Sequence, residues 1–193
     1  MIPTAQEVIY RVYGAWQFAR LNAGATQYFE ESPQAALRSF FAAVLVAPAY
    51  LILILLAHNE APPRDPLEVG VVVLLGYSLL WTVFPLVAYR ICLIIDRERA
   101  FFRYLCADNW SSIITQHFQL VVLLLIAGGI VPEVLASLVV LAMYACLLIY
   151  SWFIARSCLD VSSAVAAGFI VLQQIVGLLI QFIVTGILYP DAS

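Results

Sequence analysis

Five long stretches without a charged residue dominate the chain, at residues 39–59, 69–89, 109–132, 134–155 and 161–190. Their apolar residues run continuously instead of alternating with polar ones, which favours helices over strands in a membrane. A helix needs about 20 residues to cross the hydrocarbon core of a bilayer. Each stretch is therefore long enough to cross once, and none is long enough to cross twice. The pattern predicts five membrane-spanning helices, at about 38–58, 69–94, 111–131, 133–155 and 163–188.

A shorter amphipathic pattern over residues 4–22 precedes these stretches. Thr4 and Glu7 form a T-x-x-E capping box, which predicts a helix that begins near Ala5. Apolar residues then recur at i, i+3, i+4 and i+7, namely Ile9, Val12, Tyr13 and Trp16. We expect this helix to lie on the inner leaflet of the membrane or to pack beneath the bundle. A helix that recruits a partner protein is the less favoured alternative.

Composition supports a membrane protein, because 64% of the residues are hydrophobic and only 11% are charged. Soluble domains carry roughly 25% charged residues. The predicted fold class is therefore all-α: a polytopic integral membrane bundle of five transmembrane helices, preceded by the amphipathic interfacial helix, in a single domain over residues 1–193. All nine basic residues are Arg and are spread along the chain. Because they form no basic face, nucleic-acid binding is not expected.

The arginines also predict the orientation. With the N-terminus in the cytoplasm, the outer segments hold only Arg64, and the inner segments hold Arg11, Arg20, Arg38, Arg90, Arg97, Arg99, Arg103 and Arg156. This asymmetry follows the positive-inside rule. An odd number of spans then places the C-terminal tail, residues 191–193, outside. Arg without Lys, together with abundant Ala and Leu, indicates a GC-rich bacterial genome. We therefore expect the protein in the bacterial cytoplasmic (inner) membrane.

Several residues near the predicted inner ends have side chains that suit the headgroup region. Trp anchors at the interface, and Arg extends its charge toward the headgroups. The candidate lipid-interface anchors are Trp16, Arg20, Arg90, Arg97, Arg99, Arg103 and Trp110. In this interpretation residues 95–110 form an inner loop that lies half in the interface.

Polar side chains within the third and fifth spans are the main candidates for a site. They are Ser112, Thr115, Gln116, His117, Gln119, Gln173, Gln174 and Gln181. In the first interpretation they are interhelical hydrogen-bonding groups that hold the bundle together. In the second they line a polar cavity that faces the cytoplasm. The first is favoured, because such contacts commonly stabilise membrane bundles.

No cofactor, metal or catalytic chemistry is predicted. The only other histidine is His58, at the outer end of the first span, whereas His117 lies in the inner leaflet. The two therefore cannot share a haem. His117 has no Cys or carboxylate cluster beside it that would complete a metal site. The chain also has no H-E-x-x-H or G-x-S-x-G motif and no phosphate-binding glycine loop. We therefore expect a protein that is not an enzyme.

One short motif is similar to a known family. Gly-Tyr-Ser-Leu occupies residues 76–79 and is followed by Pro85, and the Arg-rich inner segment ends in Asn109-Trp110. Together with the five spans and the cytoplasmic N-terminus, this pattern resembles the Yip1-type family of small membrane proteins. The resemblance to bacterial members implies a fold more than an activity.

These observations lead to two expectations about function. The first is a non-enzymatic, Yip1-like membrane protein that acts as an assembly, scaffold or accessory subunit, as a homo-oligomer or with another membrane protein in the lipid bilayer. The alternative is a small-molecule transporter or channel subunit with a cytoplasm-facing polar cavity around His117. The lack of an internal repeat argues against a complete secondary transporter.

Overall fold

The computed structural model describes residues 2–57 and 65–189, which fold into helices joined by short turns. The seven α-helices are α1 (Ala5–Ala19), α2 (Pro33–Ser39), α3 (Phe41–Ala57), α4 (Pro66–Ile94), α5 (Glu98–Ala127), α6 (Glu133–Leu159) and α7 (Ser163–Leu188). A 3₁₀ segment, Ala23–Tyr28, connects α1 to α2. Within the described ranges, five stretches are long and apolar enough to cross a membrane: Pro33–Leu56 and the full lengths of α4, α5, α6 and α7. The predicted all-helical fold with five such helices is thus confirmed. His58, Arg64 and the C-terminal tail lie outside the described residues.

The third spanning helix begins earlier than its apolar stretch. We predicted a span from residue 111 and an interfacial loop before it, whereas α5 begins at Glu98 and continues without a break to Ala127. That prediction was wrong because two of the three arginines in residues 95–110, Arg97 and Arg103, have hydrogen-bond partners in the protein. Arg103, for example, bonds to groups of the protein itself. As a consequence Asp108 and Asn109, which were expected to precede the helix, lie well inside it.

Helix α5 is at the centre of the bundle. It packs against α1, α2, α3 and α6, while α4 packs mainly on α7, which in turn lies against α6. One end of the bundle holds α1, the last residues of α4 and α6, and the first residues of α5 and α7. We call it the basal end. The side chains buried most completely are concentrated there, including Phe18, Tyr104 and Leu159. Farther from this end, the surface carries exposed apolar residues such as Leu138 and Phe182, which a bilayer would solvate.

The glycine of the Gly-Tyr-Ser-Leu motif is the close contact between α4 and α7. A methyl group at position 76 would lie 2.6 Å from Val184 Cγ2, so only glycine fits without a shift. Tyr77 points the other way: its hydroxyl donates to the carbonyl oxygen of Ala43 on α3 at 2.6 Å. This motif therefore connects α4 to two neighbours. For Gly70 on the same helix, no atom of the described residues lies within 4 Å of such a methyl group.

Helix α1 packs on the bundle through a face that carries both polar and apolar residues. Its buried residues include Arg11, Gly14, Ala15 and Phe18. Three of the four residues of the predicted apolar stripe are exposed, Ile9 by 69%, Tyr13 by 49% and Trp16 by 53%, and only Val12 is half-buried against the core. The helix therefore does not pack beneath the bundle through that stripe. Thr4 caps the helix by accepting from the backbone N–H of Glu7 at 3.2 Å.

The buried face of α1 can include a charged residue because that charge finds partners in the protein. Arg11 donates to the backbone carbonyl of Tyr28 and lies 2.5 Å from Glu30 Oε1. Glu7, instead of completing the capping box, accepts from Arg38 Nε at 3.1 Å. Buried charges are stable only when paired or hydrogen-bonded. These contacts fasten α1 to the segment that leads into the first spanning helix.

Candidate functional site: a cavity among the spanning helices

A cavity of about 320 Å³ lies among the five spanning helices. Val46 and Tyr50 of α3 line it together with side chains from α4, α5, α6 and α7. Its wall includes six of the eight polar residues singled out from the sequence, namely Ser112, Thr115, Gln116, Gln119, Gln173 and Gln174. Tyr144 and Gln174 are also exposed, so the cavity reaches the surface of the bundle at that point.

The other two predicted residues lie elsewhere. His117 is exposed on the outside of α5, and its Nδ1 lies 2.7 Å from the carbonyl oxygen of Ile113 one turn earlier. Gln181 is exposed on α7, one turn beyond the cavity-lining part of that helix. Because neighbouring residues on a helix differ by about 100° in direction, His117 points away from the cavity although Gln116 lines it. A cavity around His117 was therefore a wrong prediction, and the centre of the site lies on the opposite side of α5.

The residue that sequence reasoning missed is Asp108. It lines the cavity from α5, and Gln173 Nε2 on α7 donates to its Oδ2 at 3.2 Å. The other amide atom, Gln173 Oε1, is buried and has no hydrogen-bond partner among the described residues. A sequence signal did exist: Asp108, Ser112 and Thr115 are spaced at i, i+4 and i+7, which places them on one helical face. This signal is easily missed because a carboxylate ordinarily lies beyond the end of a span.

Aromatic side chains form much of the remaining wall. Tyr50, Tyr77, Trp81 and Phe84 line it from α3 and α4. The rings of Tyr50 and Tyr77 are 4.6 Å apart between centroids, and those of Tyr77 and Trp81 are 6.1 Å apart. Together with the hydrogen bond from Tyr77 to α3, these contacts fix α3 relative to α4. The cavity thus combines a polar wall on α5 and α7 with an aromatic wall on α3 and α4.

The basal side of the cavity is closed by α1 and α2. Tyr150, a lining residue, donates its hydroxyl to the carbonyl oxygen of Ala15 at 2.9 Å. Asn109 Nδ2 donates to Ser39 Oγ at 2.8 Å, and the Ser39 hydroxyl donates in turn to the carbonyl of Ala36 at 2.6 Å. Both Ser39 and Asn109 are buried. These hydrogen bonds hold the first two helices beneath the cavity.

Among the residues that the structure describes, Asp108 is the only formally charged side chain that lines the cavity. In the described part of the chain no Arg or His side chain pairs with it, and its recorded hydrogen-bond partner is Gln173. Within the described part of the chain, Gln116 and Gln119 make no hydrogen bond to another helix. Of the predicted interhelical contacts, the structure therefore contains the one from Gln173, and its partner is a residue that we had not considered.

The predicted lipid anchors divide into two groups. Trp16, Arg20, Arg90 and Arg99 are exposed. In the second group Trp110 is only 1% exposed within the core around α5, so it cannot face lipid as predicted. Arg103 donates to the carbonyl of Cys158 at 2.8 and 3.1 Å, and Arg97 donates to the carbonyl of Asp160 at 3.3 Å. These two arginines donate hydrogen bonds to carbonyl groups at the C-terminal end of α6, and these bonds keep their side chains against the protein.

No group of three or more His, Cys, Asp or Glu side chains suited to a metal ion occurs within residues 2–57 and 65–189. Comparison with protein-family models, curated proteins and solved structures finds no match to this chain. The resemblance to Yip1-type proteins stays a prediction that rests on topology and the short motif. Function must therefore be argued from the cavity and from the exposed surfaces.

Proposed function

We propose that this protein binds a small polar molecule in its central cavity and acts as a transporter or channel subunit. The observation that carries the proposal is a cavity of about 320 Å³, lined by all five spanning helices, into which Asp108 and Gln173 project. Ligand sites are commonly concave, largely apolar and furnished with a few convergent polar groups, with volumes upward of about 300 Å³. The lining here matches that description at the small end of the range.

The lining also favours this function over a purely structural role. A polar group buried in a membrane protein costs free energy unless it finds a hydrogen-bond partner. Amides that served only to hold helices together would bond across the helix interfaces. Gln116 and Gln119 instead border the cavity and make no such bond among the described residues. A bound polar molecule, with water in its absence, would supply their partners.

The test compares two Ser→Phe variants on α6 after purification in mild detergent. Ser151 lines the cavity, whereas Ser137 is exposed on the outside of the same helix. Native mass spectrometry should find a small molecule on the wild-type protein and on Ser137→Phe, and should find it lost from Ser151→Phe. A wild-type protein without a small molecule, purified as a defined oligomer or with a stoichiometric protein partner, would favour the assembly and scaffold function instead.

The exposed face of α1 supports a second part of the proposal, which concerns the membrane surface. Ile9, Tyr13 and Trp16 project from the bundle on the same side as Arg20, an arrangement typical of a helix at the headgroup boundary. In lipid nanodiscs, phospholipids brominated close to the headgroups should quench Trp16. The difference between wild type and Trp16→Phe isolates that signal. Without quenching, a concentration-dependent oligomer would assign the face to assembly.

The orientation is proposed from the arginines, with the N-terminus and the basal end in the cytoplasm and the C-terminus outside, in a bacterial inner membrane. The cavity would then be covered on its cytoplasmic side by α1 and α2. In spheroplasts, a membrane-impermeant maleimide should label a cysteine introduced at Tyr189 but not one introduced at the exposed Gln6. Labelling of both positions would contradict five spans with this orientation.

A further inference from the structure

The ligand class can be narrowed from the charges and hydrogen-bonding groups of the cavity, on the basis of the proposed function. Asp108 supplies a carboxylate that accepts one hydrogen bond within the described part of the chain, from Gln173. An ionised carboxylate has about four positions for accepting hydrogen bonds. The nearby Gln173 Oε1 is a second acceptor, buried and unpartnered among the described residues. This part of the wall therefore has an excess of acceptors and calls for a hydrogen-bond donor.

Charge points in the same direction. Buried carboxylates are generally paired with a cation or a metal. No Arg, Lys or His occurs among the described residues that line the cavity, so this part of the protein provides no counter-ion there. A buried carboxyl group is otherwise kept neutral by protonation, so an ionised Asp108 takes its counter-ion from the occupant.

The aromatic wall distinguishes an organic cation from a metal ion. Tyr50, Tyr77 and Trp81 line the same cavity, and the π-faces of such rings attract ammonium groups and pack against alkyl carbons. A hard metal ion needs several oxygen ligands in a shell around it. The lining offers neutral hydroxyl and amide oxygens on α5 and α7 but only a single carboxylate, and the wall opposite to it is largely aromatic, so an organic cation suits the cavity better than a metal ion.

We infer that the cavity binds a small protonated alkylamine, whose N–H groups donate to Asp108 and Gln173 Oε1 while its carbons lie against Tyr77 and Trp81. Asp108 and Gln173 stand on α5 and α7, whereas the aromatic residues stand on α3 and α4. The amine therefore connects the two sides of the bundle. Its size is bounded by the cavity of about 320 Å³, which suits a molecule smaller than a typical drug.

The test measures binding to the purified protein by isothermal titration calorimetry. The probes are methyl-, butyl- and phenethylammonium, with phenethyl alcohol and phenylacetate as neutral and anionic counterparts of the last. We expect at least one ammonium ion to bind at least about tenfold more tightly than either counterpart, which is the factor that a hydrogen bond to a charged group contributes. Excess sodium chloride at constant ionic strength should not displace it.

Asp108→Asn keeps the shape of the side chain but removes its charge, and should weaken ammonium binding by about tenfold or more. It should leave the affinity for phenethyl alcohol unchanged. Asp160→Asn is the matched control, because it removes a carboxylate at the basal end outside the cavity and should bind like wild type.

Two results would overturn the inference. The first is equal or tighter binding of the alcohol or the carboxylate, which would leave the proposed cavity function standing with another ligand class. The second is that none of the three ammonium ions binds to wild-type protein that elutes at its normal volume in size-exclusion chromatography. The proposed function fails separately, if the Ser151→Phe comparison finds no molecule that depends on the cavity.

Discussion

Replacing Gly76 by Ala tests the close contact between α4 and α7. The added methyl group would lie 2.6 Å from Val184 Cγ2, whereas two carbon atoms prefer a separation of about 3.5–4.0 Å. Helix α4 or the Val184 side chain must therefore move by about 1 Å. Overpacking of this kind typically costs about 1–3 kcal/mol. The same movement would displace Tyr77, which lines the cavity from the next position in the chain.

Gly70→Ala supplies the matched control, because it makes the same chemical change on the same helix where no atom of the described residues lies within 4 Å of the new methyl group. Any gain from the better helix propensity of Ala, up to about 1 kcal/mol, is then shared by the two variants. The free energy of unfolding, measured by SDS titration in mixed micelles, should be lower for Gly76→Ala than for Gly70→Ala by about 1–3 kcal/mol.

Val184→Ala completes the test as a double-mutant cycle. If the clash with Cγ2 causes the loss, Val184→Ala should restore most of it in the Gly76→Ala background while destabilising the wild-type background. The resulting coupling energy would be about 1–3 kcal/mol, as is found for residues in direct contact. The reasoning is refuted if the two alanine variants are equally stable, or if Val184→Ala costs the same in both backgrounds.

Two further predictions concern the basal side of the cavity. Ser39→Ala removes the acceptor for the buried Asn109 Nδ2 and should lower the free energy of unfolding by about 1–3 kcal/mol in the same SDS titration; the exposed Ser137→Ala should be close to neutral, and equal effects would mean that the buried bond is not decisive. Tyr150→Phe removes the hydrogen bond to the Ala15 carbonyl, which is worth about 1 kcal/mol. It should therefore speed the tryptic cleavage of α1 without altering the elution volume, and an unchanged cleavage rate would show that this bond does not hold the helix.

The candidate site was predictable only in part, for reasons that particular residues make clear. Gln173 is a polar residue within an apolar helix, and lipid leaves such groups few partners outside the protein, which favours an inward direction. Gln181 on the same helix is nevertheless exposed. The position of Asp108 in the cavity could not be predicted from the sequence, because a charge is ordinarily assigned to the end of a span. Its place inside α5 depends on α1 and α2, which surround the basal half of that helix with protein instead of water.

The number and approximate position of the spanning helices were determined by the sequence alone. The reason is local: the thickness of the hydrocarbon core sets a length, and an uninterrupted apolar run either reaches it or does not. The N-terminal ends of the two helices that follow Ser32 and Ser162 are also determined locally, because each serine side chain accepts a hydrogen bond from a backbone N–H in the first turn of its helix.

Tertiary structure alone decided which faces meet. The pattern of α1 suggested an apolar packing face, yet Arg11 is buried because Glu30 and the Tyr28 carbonyl, far along the chain, satisfy its charge. His117 and Gln116 differ by one position, and only the placement of α6 and α7 around α5 determines which of them borders the cavity. Periodicity describes one helix at a time, whereas the pairing of a buried charge and the direction of a polar face depend on neighbours that the chain brings together only when it folds.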